Sequence, residues 1–351
     1  MKNIILFIMV GLFISSCKTP AEPIGISYTL VSSVDTGGFC RDINIKDSIV
    51  VAAADEKGYQ VYSFNLNNFE FTHKFGETEM GRRSNNVVIS SDRDYFLSLD
   101  KTDHIYAMSL NDENDFIEVV VNFGSDNRDY CRSLALVENE QNTIIYTLNR
   151  SVDGNSTIVY TRLWDNAMLD GFGGYHALPW GATFTEVNGL NIEANAIFFS
   201  DSLLYIANSQ LGVKVLKQNL DGSLFEFTEF DTQGEVTTIY ANDGYVFAGS
   251  TYDSGCLIAS VNSDSNVSII EPVIAKGYTI NGTHLSNGIL AFACGYDGVV
   301  LYNWDNNGSE LIVSELGRVQ TEDYAYQVKI YDNETIFVAG RNGLSVYNIE
   351  R

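Results

Sequence analysis

"DSLLYIANSQLGVKVLKQN" (residues 201–219) decides how this chain is read. It is a short turn, an apolar run, a second turn closed by Gly212, and a run in which apolar and polar residues alternate. Both runs have strand length and carry β-branched or aromatic residues. The same pattern returns as "DSIVVAAADEKGYQVYSFN" (47–65), "NGILAFACGYDGVVLYNWD" (287–305) and "NETIFVAGRNGLSVYNIER" (333–351). Looser copies are "RDYFLSLDKTDHIYAMSLN" (93–111), "DGYVFAGSTYDSGCLIASVN" (243–262) and the stretched "NTIIYTLNRSVDGNSTIVYTRLWD" (142–165). Gly212, Gly255, Gly298 and Gly343 recur every 43 to 45 residues.

Each copy is preceded by an alternating run such as Asp42-Ile43-Asn44-Ile45. Each of the first six is followed by a more polar one such as "FEFTHKFG". The unit is therefore four strands, a to d, in about 45 residues, seen seven times. That arithmetic predicts an all-β, seven-bladed β-propeller of four-stranded antiparallel blades. The seventh copy has no strand d behind it. The d-like run "ISYTLVSSVDTGG" (26–38) precedes the first strand a. The expectation is that this N-terminal strand completes the last blade and closes the ring, which removes an open sheet edge.

The copies resemble the LVIVD-type propeller repeat of exported bacterial and archaeal proteins, through "YIANSQLGVKVLK" (205–217) and "FVAGRNGLSVYNI" (337–349). The Asp-x-Ser-x-Pro ending of that family is absent here. Trp164-Asp165 and Trp304-Asp305 lack the Gly-His partner of WD40 repeats. At the other end, "MKNIILFIMVGLFISSC" (1–17) has a basic start and an apolar core too short to span a bilayer. Its Ile14-Ser15-Ser16-Cys17 resembles a lipobox. The resemblance implies a lipoprotein signal peptide over 1–16, a lipid-modified (palmitate-bearing) Cys17, a short linker over 17–25 and a propeller over 26–351. Lys18 in the second mature position resembles an outer-membrane sorting signal. The expected location is the bacterial cell envelope, as an outer membrane lipoprotein, with the chain a monomer.

Twenty-one basic residues stand against 45 acidic ones, a net charge of −24. Nucleic acids and anionic lipid surfaces require basic patches, so neither is expected as a partner. Cys40, Cys131, Cys256 and Cys294 lack metal-ligand spacing, and the four histidines, His73, His104, His176 and His284, are scattered. No nucleophile elbow or phosphate loop is present. No cofactor, metal or catalytic residue is assigned.

Two triplets remain, Phe39-Cys40-Arg41 and Tyr130-Cys131-Arg132. In the repeat frame both open strand a, where the d–a and b–c connections converge on the mouth of the ring. The Arg position reads Arg41, Asn85, Arg132, Asn195, Thr237, Asn281 and Tyr326 along the chain, all polar. Two readings stand. One is a ligand pocket, in which arginine forks favour a carboxylate, sulfate or phosphate. The other is a solvated rim, each arginine paired with Asp42 or Asp55. The Gly- and aromatic-rich insertion at 165–184, with Tyr175, His176 and Trp180, reads either as a recognition loop or as a loop packing its own aromatics. The function expected is a non-catalytic, lipid-anchored propeller binding a partner protein or ligand at its mouth. The alternative is a propeller hydrolase or lyase acting on glycan, which would show two carboxylates, or a His and a carboxylate, converging on one small cavity.

Overall fold

The computed structural model describes residues 25–76, 83–100, 104–111, 116–120, 130–138, 142–150, 156–165, 182–185, 190–307 and 311–350. Cys17 and the insertion residues Tyr175, His176 and Trp180 lie outside the described residues.

The described residues form strands and turns, without a helix. β1 (Ser27–Val34) comes first. The first sheet is β2 (Asp42–Lys46), β3 (Ile49–Ala53), β4 (Tyr59–Asn65) and β5 (Glu70–Gly76). Next come β6 (Ser84–Ile89), β7 (Tyr95–Asp100), β8 (His104–Ser109) and β9 (Phe116–Val120), then β10 (Tyr130–Glu138), β11 (Asn142–Arg150), β12 (Ser156–Asp165) and β13 (Ala182–Thr185). The fourth sheet is β14 (Ala196–Ser200), β15 (Leu203–Ala207), β16 (Val213–Gln218) and β17 (Leu224–Phe230). The fifth is β18 (Val236–Asn242), β19 (Tyr245–Ser250), β20 (Cys256–Val261) and β21 (Val267–Ile274). The chain ends through β22 (Gly282–Ser286), β23 (Ile289–Ala293), β24 (Val299–Asn306), β25 (Leu311–Val319), β26 (Ala325–Ile330), β27 (Thr335–Gly340) and β28 (Gly343–Glu350).

These strands assemble into seven four-stranded sheets, each antiparallel throughout. The last has the order β1-β28-β27-β26, so β1 supplies its outer strand, with Ser27 opposite Glu350 and Val34 opposite Leu344. The innermost strands touch in the cycle β2, β6, β10, β14, β18, β22, β26 and back to β2. Seven apolar clusters fill the seams between consecutive sheets. One of them joins first sheet to last, packing Ile43, Val50 and Phe64 against Phe337 and Val346. The arrangement is a closed β-propeller.

The repeat turns explain why the sheets form where they do. Asp201-Ser202, Asp243-Gly244 and Asn287-Gly288 have positive φ at both residues, the two-residue hairpin geometry whose twist matches antiparallel strands. The glycine opening strand c is needed for a different reason. At Gly212, Gly255, Gly298 and Gly343, φ lies between +76° and +120°. A Cβ there would collide with the carbonyls of Phe230, Ile274, Val319 and Val34 respectively. Val34 thus occupies in the last sheet the place that the end of strand d occupies in the others.

Second strands are buried along nearly all of their length, wholly so in β15 and β23, and outer strands such as β1 are partly to fully exposed. Among the described residues no disulfide joins the cysteines, and Cys40, Cys131, Cys256 and Cys294 are all buried. Cys40 packs in the seam between the first and last sheets, and burial pushes its thiol far above the ordinary range. Burial likewise pushes Cys294 up to about 12. These thiols are protonated packing groups.

Candidate functional site

The residue before each slot in the polar series is buried: Cys40, Ser84, Cys131, Ala194, Val236, Ile280 and Ala325. Several of these latch adjacent sheets through the backbone. Cys40 N donates to Gly340 O at 3.0 Å, Val236 N to Ser209 O at 3.0 Å and Ile280 N to Ser250 O at 3.0 Å. The Cys position is therefore a seam position where only a small or apolar side chain fits.

The slot that follows is a bulge. The ladder skips Asn85, Arg132, Thr237 and Tyr326 between β6/β7, β10/β11, β18/β19 and β26/β27. In the other three sheets the N–H groups of Arg41, Asn195 and Asn281 donate to the carbonyls of Ala53, Ala207 and Ala293, each the registered partner of the next residue. Two residues oppose one at every site. Such a bulge turns the side chain away from the regular pleat, toward the rim.

What the slot side chains do differs around the ring. Arg132 Nη1 donates to Ala194 O at 2.9 Å, Asn195 Nδ2 to Val236 O at 3.2 Å and Asn281 Nδ2 to Ala325 O at 3.1 Å. Each ties its sheet to the next one at the seam position. Asn85 is half-buried. Arg41 Nε lies 2.9 Å from Asp55 Oδ2, and Arg83 Nε lies 3.0 Å from the other oxygen of the same carboxylate. Arg41 thus pairs with Asp55, one of the two carboxylates named in the solvated-rim reading.

A second group of residues converges where the last two sheets meet the first. The Arg41 guanidinium lies 4.4 Å from the Tyr326 ring centre and 5.1 Å from that of Phe39. Arg341 lies 5.2 Å from Phe39, and its Nη1 is 3.2 Å from the Tyr296 hydroxyl. Tyr296 meets Tyr324 edge-on at 5.0 Å, and Tyr324 meets Tyr326 at 4.7 Å. The six side chains close a loop: Tyr296, Tyr324, Tyr326, Arg41, Phe39, Arg341. Asn281 Nδ2 holds the Tyr324 hydroxyl at 3.1 Å, and Arg341 N donates to Tyr324 O at 3.1 Å. Gly295, at φ +62°, lets the turn bearing Tyr296 approach that ring, since a Cβ would lie 2.9 Å from it. Burial raises the Tyr326 hydroxyl above its ordinary value, and the nearby Arg41 charge opposes this.

The structure brings Arg41, Asn281 and Tyr326 into this cluster. Asn85, Arg132 and Asn195 belong to other seams. Phe39, Tyr296, Tyr324 and Arg341 were not among the residues expected from sequence. The signal for two of them was present, because Tyr296 and Arg341 hold the same turn position in "CGYDG" and "GRNG". The equivalent turns carry Tyr252 and Leu211. Tyr252, Tyr296 and Leu211 are 83, 66 and 56 % exposed. Phe39 and Ile192 add to the same end of the ring, whereas the c–d turns at the opposite end expose Leu66 and Leu220.

Closer to the axis, polar side chains cap the free inner edge of the neighbouring strand. Asp42 Oδ2 accepts from Val87 N at 3.1 Å and from the Asn86 amide at 2.5 Å, and Oδ1 accepts from Ile43 N. Asn86 accepts from Leu134 N, Ser133 from Ile197 N and His284 Nδ1 from Ile330 N. Unpaired backbone N–H groups there would otherwise lack partners. Burial raises Asp42, with the Lys329 charge pulling the other way. Burial, aided by Lys329, holds His284 neutral, well below the usual imidazole value.

No known protein family's sequence pattern matches the chain, and no curated protein does. Solved structures do. The computationally designed Ika8 protein superposes with a TM-score of 0.57 at 14 % identity, over 92 % of this chain and 100 % of that one. The WD40 repeats of RRP9 give 0.57 at 14 % identity over 93 % and 100 %, and U3-55K gives 0.56 at 14 % over 92 % and 98 %. At this identity the likeness is one of fold, and the fold is a β-propeller.

Proposed function

We propose that this chain is a non-catalytic binding protein of the bacterial cell envelope, anchored in the outer membrane by lipid on Cys17. Its seven-bladed ring would present the b–c and d–a end to a partner protein. The observation that carries the reading is the closed loop of Tyr296, Tyr324, Tyr326, Arg41, Phe39 and Arg341. Aromatic and arginine side chains dominate binding hot spots: aromatic rings cover area while losing little conformational freedom, and arginine adds a planar fork that stacks and hydrogen-bonds. Here each ring and guanidinium is already oriented by the next, so docking would order few side chains. A rigid propeller is a suitable scaffold for such a patch.

Two carboxylates of the first sheet at this end are engaged by the fold and are not free for glycan hydrolysis. Asp55 is held between two arginines, and Asp42 accepts three N–H groups. The anionic-ligand reading narrows to the Arg41 and Arg341 side of the mouth, since Arg132 serves a seam carbonyl.

The experiment is site-specific cross-linking in intact cells. A photoreactive phenylalanine at Tyr296 is expected to capture one defined partner, and the same group at Leu220 on the opposite end is not. The double variant Tyr324→Ala/Arg341→Ala should abolish the product. Equal yields from both ends, or none from Tyr296, would remove the reading.

A further inference from the structure

The position three residues beyond each polar slot forms a second layer around the axis of the ring. On the consecutive inner strands β22, β26 and β2 it holds His284, Lys329 and Asn44. On the other four inner strands it holds Val88, Ala135, Phe198 and Tyr240. All but Ala135 are half-buried, whereas their neighbours along each strand are mostly sealed, as Val328 and Ile330 are beside Lys329. Alternate side chains of a strand leave on opposite faces, so one set fills a seam and the other borders the open axis.

The polar members of this layer have spent their acceptors and kept their donors. Asn44 Oδ1 accepts from Ile45 N at 2.9 Å, and His284 Nδ1 accepts from Ile330 N at 3.0 Å. An accepting Nδ1 leaves the imidazole proton on Nε2, and the Asn44 amide keeps its N–H groups. Between them, the Lys329 ammonium makes neither a hydrogen bond nor an ion pair among the described residues. Asp42, one layer nearer the mouth, attracts it from a distance, but both oxygens of Asp42 already accept N–H groups. Burial therefore pulls the Lys329 ammonium below its ordinary value, with Asp42 opposing only in part. An ammonium drawn out of water without a partner is costly. The rest of the layer is apolar or aromatic. Tyr240 lies 5.7 Å from the His284 ring and 4.8 Å from Phe198, and its hydroxyl is turned to Leu285 O.

We propose that this layer of the channel binds a small organic acid, its carboxylate on Lys329, Asn44 and His284 and its apolar body against Tyr240 and Phe198. A carboxylate has lone pairs enough for all three donor groups, and the ammonium makes one of those bonds charge-assisted. The donors sit on one side of the ring and the apolar residues on the other, which matches a molecule charged at one end only. The site is independent of the partner proposed for the mouth.

The test is calorimetric titration of the whole chain with sodium benzoate at about 150 mM salt, where distant charges are screened. Two counter-probes divide the chemistry: benzamide keeps the body without the charge, and inorganic phosphate keeps charge without the body. Benzoate should bind one to one, and each counter-probe about tenfold or more weakly. Lys329→Met should cost about tenfold. Asn44→Asp keeps an acceptor for Ile45 N but replaces the amide donors by a like charge, and should cost at least as much. Lys276→Met removes the same charge from an exposed turn and should cost less than about twofold. If Lys329→Met fails to fold, Asn44→Asp and the counter-probes still decide. No binding at about 50 mM benzoate, equal binding of either counter-probe, or equal losses in Lys329→Met and Lys276→Met would overturn the proposal.

Discussion

Asp55 and Arg41 form an ion pair of unequal halves: the Asp55 side chain is 2 % exposed, the Arg41 side chain 31 %, and they meet at 2.9 Å. Asp55 also takes Arg83, and its N–H donates to Ser84 O across the seam. The buried partner is the acid. Deleting an arginine leaves the other to neutralise Asp55, whereas deleting Asp55 leaves two partly solvated cations facing each other. Asp55→Ala is therefore expected to lower stability by about 2 kcal/mol, and Arg83→Ala, at a 45 % exposed side chain, by less than about 1 kcal/mol. Urea unfolding measures both. Equal losses would mean that the carboxylate is not the centre of the cluster.

Closure through β1 predicts a further asymmetry. Removing residues 26–34 strips the last sheet of its outer strand, together with the Tyr28–Tyr347 edge contact at 6.2 Å. β28 then becomes a free edge, the kind that recruits other chains. The truncated protein should melt at lower temperature and run as oligomers on size exclusion. A monomer with an unchanged melting temperature would contradict this closure.

His284 predicts a pH dependence. Folding holds its imidazole neutral, well below 6.5, through burial and Lys329, and Nδ1 accepts from Ile330 N. The unfolded chain regains the ordinary value of about 6.5. Below that pH the unfolded state binds a proton that the folded state refuses, so stability falls as acid is added, until the folded value is passed. Above 6.5 both states are neutral and the contribution is constant. His284→Gln keeps an acceptor and removes the titration. Between pH 7.5 and 5.5 the parent should lose about 1 kcal/mol more than the variant. Parallel curves would show that His284 does not carry the effect.

The proposed lipid anchor is tested at Cys17. Cys17→Ser should stop processing of the precursor and release the protein from the membrane fraction. Two or more acyl chains are needed for firm attachment, at about 0.8 kcal/mol per buried CH₂. A variant still cleaved at the same site and still sedimenting with membranes would exclude the lipoprotein reading.

The sequence by itself determined what is local. Period-two runs broken by Asp-Ser, Asp-Gly and Asn-Gly turns dictate hairpins, and the glycine opening strand c in four of the sheets is demanded by a carbonyl within its own sheet, that of Val34 in the last. Recurrence of that unit made the propeller legible, and it made the Cys and Arg slots recognisable as single structural positions. Only the tertiary structure decided which slot residues meet. Arg41, Asn281 and Tyr326 share a cluster because β2, β22 and β26 are neighbours in a closed ring, a relationship between residues more than 200 positions apart. Partner choice was equally invisible. Nothing local tells whether an arginine on a bulge will find a buried carboxylate, as Arg41 does, or a seam carbonyl, as Arg132 does. That depends on what the next sheet places within about 3 Å, because hydrogen bonds and ion pairs are short-ranged while sequence periodicity fixes only which way a side chain leaves its strand.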